Sequence, residues 1–275
     1  MHANYTPPKR KTKVVFVQLG SPEAPTPKAL RKYLRNFLGD PRVIDIPAWK
    51  WKIILNCFVL PFRPAKSAKL YERIWDGKSF PLITNTANFT ESVREELKKI
   101  DPEGYVEVNH AFLLSPPYVN EVYDSWEEDL KNNVGATKLM VIPMFPQYSE
   151  STIASGVDAL AKELSKRVKI PTFEVITNFH RTHAFIDNSV TQLDAKVKEL
   201  SDQGTKVDKL VISFHGMQKR RIVFKGDDYY RHCYETYRLI VDRLKHLKPE
   251  QAVMTFQSRF GREEWITPYT EEVVE

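Results

Sequence analysis

The sequence predicts an α/β protein with parallel sheets, and three observations carry that prediction: short apolar runs of strand length, helical stripes that follow them, and the alternation of the two along the chain. The first run covers residues 14–19, bounded by Lys13 and Gly20. So apolar a segment reads as a strand covered on both faces. A helix is expected next. Thr26 can cap it, Pro27 suits its first turn, and Leu30, Tyr33, Leu34, Phe37 and Leu38 recur at the spacing of one apolar stripe.

The same grammar repeats downstream. Helical stripes occur at Phe89, Val93, Leu97 and Ile100, at Val157, Leu160, Ala161 and Leu164, at Ile186, Val190, Leu193, Val197 and Leu200, and at Tyr230, Cys233, Tyr234, Tyr237, Val241 and Leu244. Between them, residues 105–108, 139–142, 173–177, 210–214 and 253–256 are too short and too β-rich for helices. Strands joined through helices pair in parallel, with helices on both faces of the sheet. At 275 residues the chain suits two ordinary domains or one large one. Residues 51–62 break the pattern, being apolar nearly all round; they read either as a buried helix or as a hydrophobic lip around a large apolar ligand, touching a membrane surface.

Composition narrows the function classes. An apolar share of 42% with 28% charged is that of a globular protein, which sets aside disordered and disulfide-stapled chains. The net charge of +6 sits partly in Lys9, Arg10, Lys11 and Lys13, expected to form a solvated tail. No helix shows the basic stripe interleaved with aromatics that nucleic acid would require. Cys57 and Cys233, far apart in apolar-periodic stretches, are expected as buried free thiols, and two cysteines cannot make a four-thiolate zinc site. The N-terminus lacks the apolar core of a signal peptide, and no run reaches the ~18 apolar residues of a membrane span. A cytoplasmic location is expected.

Ligands of open α/β sheets bind beyond the carboxyl ends of strands, so the loops there are where chemistry is sought. The loop from Gly20 to Pro27 has one glycine and three prolines, too few glycines for a dinucleotide fingerprint. The loop running Pro143-Met144-Phe145-Pro146-Gln147-Tyr148-Ser149-Glu150-Ser151-Thr152 leads into a helix, where Ser149 and Ser151 serve either as caps or as part of an anion site. In Ser213-Phe214-His215-Gly216 a histidine follows an apolar strand directly; it is either structural or a group that exchanges protons or binds metal near neutral pH. His180 and His183 have the spacing of paired metal ligands without an evident third. No G-x-S-x-G elbow is present, which disfavours a serine hydrolase.

Taken together, these loops resemble the ferrochelatase family. The similar segments are Gln18-Leu19-Gly20-Ser21-Pro22, Phe37-Leu38-Gly39-Asp40-Pro41-Arg42-Val43, Leu60-Pro61-Phe62-Arg63-Pro64, Phe145-Pro146-Gln147-Tyr148-Ser149, Ser213-Phe214-His215-Gly216, and Phe256-Gln257-Ser258-Arg259-Phe260-Gly261 with Trp265. Six dispersed motifs in order are far more specific than any one. The resemblance implies two Rossmann-like domains with parallel sheets and a porphyrin cleft between them, taken here as residues 1–168 and 169–275. It implies a lyase that inserts Fe²⁺ into protoporphyrin IX to form protohaem, or else a non-catalytic porphyrin- or haem-binding derivative.

The resemblance also assigns roles. His215 falls on the family's essential histidine, which takes pyrrole protons and sits near the incoming iron. Leu19 and Trp265 are implied as cleft walls, Arg42, Ser149 and Ser151 as polar anchors, and residues 51–62 as the porphyrin-admitting lip, with peripheral contact to the inner membrane. No cofactor is implied, Fe²⁺ being a substrate, and two distant cysteines cannot hold an iron–sulfur cluster. Two departures stand out. Leu113 and Leu114 replace an arginine–tyrosine pair, and the family continues beyond Pro268-Tyr269-Thr270-Glu271 into a strand and a helix with an acidic partner for His215, whereas this chain stops at Glu275.

Overall fold

Strand β1 (Lys11–Gln18) anchors the first sheet because its inner residues are apolar on both faces. The computed structural model describes residues 11–131, 136–261 and 263–275. Its chain divides into two compact units: the first holds the described residues through Phe145 and then Glu150–Thr177, the second Pro146–Ser149 and Asn178–Glu275.

In the first unit, β1 is followed by helices α1 (Pro27–Gly39), α2 (Ala48–Ile54), α3 (Arg63–Glu72) and α4 (Pro81–Ile100). Strand β2 (Val106–Phe112), helix α5 (Val119–Lys131), strand β3 (Ala136–Pro143), helix α6 (Ser155–Leu164) and strand β4 (Thr172–Val175) complete it. The four strands pair in parallel in the order β2-β1-β3-β4. Alternation along β1 sends Val15 and Val17 into a cluster with Tyr123 and Trp126 of α5 and Leu160 and Leu164 of α6. Phe16 points the other way and meets Phe89 of α4 edge-on at 5.1 Å. Each such buried side chain contributes roughly 1.5–3 kcal/mol, and burial on both faces is what requires an apolar strand here.

Helix α1 forms as its sequence directs. The Thr26 hydroxyl accepts the Ala29 amide at 3.2 Å, and Leu30, Tyr33, Leu34 and Leu38 are buried. Three other expectations are corrected. Lys13 is no tail residue: it lies in β1, buried, its Nζ donating to Ser125 Oγ at 3.0 Å with Glu107 at 3.4 Å. Lys9 and Arg10 lie outside the described residues. In α4 the buried positions are Thr86 and Thr90 rather than Phe89 and Ile100. Their hydroxyls donate back to the carbonyls of Leu82 and Thr86 at 2.7 and 2.8 Å, which lets a polar side chain face the core. The boundary expected at 168/169 falls inside the first unit, because β4 pairs with β3 and carries the chain to Thr177.

The second unit comprises α7 (His183–Asp202), β5 (Leu210–His215), α8 (Lys219–Lys225), α9 (Tyr229–Val241), β6 (Ala252–Gln257) and the short α10 (Thr270–Val274). Strands β5 and β6 are parallel, with His215 in register with Gln257 at their carboxyl ends. Its core gathers Met217, Cys233, Met254, Phe256 and Ile266, beside a smaller group of Ile186, Val190 and Ile240. Helix α9 turns His232, Cys233, Thr236, Ile240 and Val241 inward, while Tyr230 and Tyr234 of the expected stripe are exposed. Among the described residues, no helix is long and apolar enough to cross a membrane.

Candidate functional site

The carboxyl end of β5 carries the chemistry-bearing group. His215 is the last residue of the strand, and its side chain is exposed. Its Nδ1 lies 2.7 Å from the Gly216 carbonyl oxygen. A carbonyl only accepts, so Nδ1 holds the ring proton of the neutral form and Nε2 keeps its lone pair. Such an imidazole can take up a proton or meet a metal ion at Nε2.

The surroundings of His215 are fixed by close packing. At Gly216 a Cβ would stand 2.8 Å from the Gln257 carbonyl oxygen and 3.0 Å from Trp265 Cε3, so only glycine lets the chain pass. Trp265 is buried, its Nε1 donating to the Phe260 carbonyl at 3.1 Å, and the exposed Phe260 ring lies 5.0 Å from it. Ser258, in the loop after β6, takes a left-handed conformation at φ 70°, a strain of about 1–3 kcal/mol for a residue other than glycine. Behind the histidine, burial pushes the Tyr229 phenol well above its usual range, with Cys233 adding to the effect and the His215 backbone opposing it. Burial likewise pushes the Cys233 thiol up to about 12, so neither group exchanges protons near neutrality.

The remaining expected site residues lie elsewhere in the two units. Leu19 follows β1, half-buried, its carbonyl accepting from the Leu114 amide at 3.0 Å. Gly20 beside it has φ 91°, and a Cβ there would collide with Ser115 Oγ. Leu113 packs against the cluster under β1, and Leu114 against the cluster of Leu34, Leu38, Leu55 and Leu60. Arg42 is committed within the first unit: Nε and Nη2 form a fork on Asp158 at 2.7 and 3.1 Å, and Glu150 lies 3.8 Å away. Ser149 is buried and clusters with the second unit. Ser151 is half-buried in a π-helical turn, Glu150–Ala154, that belongs to the first. The expected serine pair is thus divided between units.

Residues 51–62 are buried on one side and exposed on the other. Leu55 and Leu60 are buried against α1, and Trp51 Nε1 donates to the Leu38 carbonyl at 2.6 Å. The opposite side leaves Ile53, Phe58 and Phe62 exposed by 54%, 65% and 67%, an apolar surface that packing within this unit does not explain. Cys57, expected to be buried, is exposed on this same stretch, because the π-helical turn Leu55–Val59 directs it outward.

His180 and His183 do not converge. His183 is exposed, whereas His180 is buried with Nε2 2.7 Å from Glu235 Oε2. Among the described residues, no group of three metal-ligating side chains forms. Sequence reasoning missed the partner of His180, which is His232 on α9. The signal was the polar i, i+4 spacing of His232 and Thr236 leading to Ile240, masked by the tyrosines beside it.

A family model described as Ferrochelatase matches residues 11–275. The ferrochelatase of Idiomarina loihiensis is 40% identical over 258 residues, covering 94% of this chain and 68% of that protein. That of Marinobacter nauticus is 38% identical over 261 residues, with 95% and 67% covered. That of Actinobacillus pleuropneumoniae serotype 5b is 38% identical over 262 residues, with 95% and 76% covered. Among solved structures, SirB from Bacillus subtilis with Fe3+ superposes with a TM-score of 0.47 at 14% identity, covering 96% of this chain and 69% of that one.

Proposed function

The chain belongs to the ferrochelatase family, and on that premise we propose that it is a lyase inserting Fe²⁺ into protoporphyrin IX to form protohaem. The reaction is redox-neutral: two pyrrole N–H bonds break, four nitrogens bind iron that stays ferrous, and two protons leave. No cofactor enters this balance, because iron is a substrate. What the protein must supply is a proton acceptor on one face of the macrocycle and apolar walls that hold it bent.

The observation that carries this reading is His215, an exposed imidazole at the carboxyl end of a parallel strand with its lone pair at Nε2. In the proposed reaction Nε2 takes the pyrrole protons in turn and passes each to water. Trp265 and Leu19 serve as walls for the flat apolar ring. Ser149 and Ser151 offer hydroxyls to the propionates, with their carboxylate charge. Arg42 fastens the turn holding Asp40 to α6 through its fork on Asp158 instead of meeting a propionate itself. Ile53, Phe58 and Phe62 form the lip that admits an apolar disc, and the same surface suits peripheral contact with a lipid headgroup layer.

The purified chain, mixed anaerobically with protoporphyrin IX and Fe²⁺, is expected to produce the haem absorption spectrum with multiple turnovers. Tight porphyrin binding with no insertion above the uncatalysed rate would overturn the proposal.

A further inference from the structure

Within the second unit, His232 of α9 and His180 from the approach to α7 form a buried pair of histidines that this reaction does not use. His180 and His232 are both buried, their rings stacked with centroids 3.8 Å apart and planes 17° from parallel. His180 Nε2 faces the Glu235 carboxylate and therefore donates; its Nδ1 is buried with no partner, so a second ring proton would find no acceptor. His232 Nδ1 lies 3.1 Å from the backbone nitrogen of Tyr148. An amide only donates, so Nδ1 accepts and the ring proton of the neutral form sits on Nε2. The Arg231 guanidinium, 3.3 Å from Nε2, is a donor too, so with this tautomer the two are neighbours and not hydrogen-bond partners.

The bond to Tyr148 has companions on the same segment. Gln147 Nε2 donates to Thr236 Oγ1 at 3.0 Å, and the Phe179 amide donates to the Pro146 carbonyl at 3.0 Å. Three contacts from α9 and the approach to α7 thus pin Pro146–Ser149, the four residues that cluster with the second unit although their chain neighbours do not.

We propose that His232 is a positioning residue: as an acceptor imidazole it fixes the Tyr148 amide, and through it sets the orientation in which Ser149 meets a porphyrin carboxylate. This rests on the reading of Ser149 as an anchor. The charged and titratable groups around the pair are His180 and Arg181 from the approach to α7, Asp228 just before α9, and Arg231 and Glu235 on α9 itself. Burial, then His180 and Arg231, push His232 down to about 4, so the acceptor form persists throughout the neutral range. A lysine or arginine at this position has no acceptor to offer.

The test compares His232→Leu with His232→Asn in the full chain. Asparagine returns an acceptor oxygen at the distance of Nδ1 from the backbone; leucine does not. Amide exchange at Tyr148 is expected to accelerate at least about tenfold in the leucine variant and to stay near wild type in the asparagine variant. The porphyrin KM should rise about tenfold in His232→Leu with kcat within twofold, and return in His232→Asn. Thr236→Val, which removes the Gln147 contact from the same segment, guards against a leucine variant that fails to fold, and is expected to raise exchange and KM to a smaller degree. Unchanged exchange at Tyr148 in both variants would overturn the inference. So would faster exchange with an unchanged KM, provided Ser149→Ala raises KM. If Ser149→Ala leaves KM unchanged, the anchor reading fails instead, and the inference falls with its premise.

Discussion

Gly216 shows how a single position binds sequence to chemistry. Its hydrogen side chain admits both the Gln257 carbonyl and the Trp265 ring, and that crowding holds the chain where His215 can face outward. Gly216→Ala puts a methyl group 2.8 Å from a backbone oxygen that has little room to yield. We expect a loss of about 1–3 kcal/mol in urea unfolding and a changed Trp265 fluorescence; an unaltered midpoint would show that the loop gives way freely. At this scale much was legible. A histidine at a strand end and a tryptophan in the following motif are visible in the chain; the structure makes His215 the last residue of β5 and packs Gly216 against Trp265. His232 was not legible, because tyrosines on either side offer an equally good helical stripe and only packing shows which face turns inward.

Elements were legible in kind but not in every bound or turn. The strands expected from apolar runs all form, several of them longer where polar ends such as Lys11 and Gln257 still pair, while β4 stops at Val175, short of the expected 177. The π-helical turns Leu55–Val59 and Glu150–Ala154 left no mark, since one extra residue per turn changes no composition. The first of them places Phe58 outside. Replacing Ile53 and Phe58 together by serine should weaken porphyrin binding and vesicle association severalfold while leaving the thermal midpoint unchanged, because both side chains are already in water. A fall in the midpoint without change in binding would make the stretch part of a core.

The stacked pair His180 and His232 gives the second unit its own pH signature. Both imidazoles are held below their ordinary value of 6.5, His232 at about 4, chiefly by burial. The unfolded chain therefore binds more protons than the folded one between about pH 4 and 6.5, and stability is complete above that window and falls as pH drops through it. Glu235, held low by His180, loses its contribution below its ordinary 4.5, in the same direction. The unfolding free energy should fall by on the order of 2–3 kcal/mol from pH 7 to 4 on account of His232. His232→Asn should flatten that slope, and an unchanged slope would contradict the assignment.

At the scale of the whole molecule, alternation of strands and helices was enough to predict two parallel α/β sheets, but not where one unit ends. Residues 173–177 read as the first strand of a second domain, yet β4 (Thr172–Val175) adds to the first sheet through β3. Pairing partners are long-range facts that local pattern does not carry. Family membership adds the reaction, whose proposed proton acceptor is one imidazole in the second unit. The most direct measurement is therefore a paired one on His215→Ala: porphyrin affinity and the rate of iron insertion in the same preparation. Affinity within about threefold of wild type, with insertion slowed at least about a hundredfold, is the predicted result. Insertion at the wild-type rate without that imidazole would contradict it.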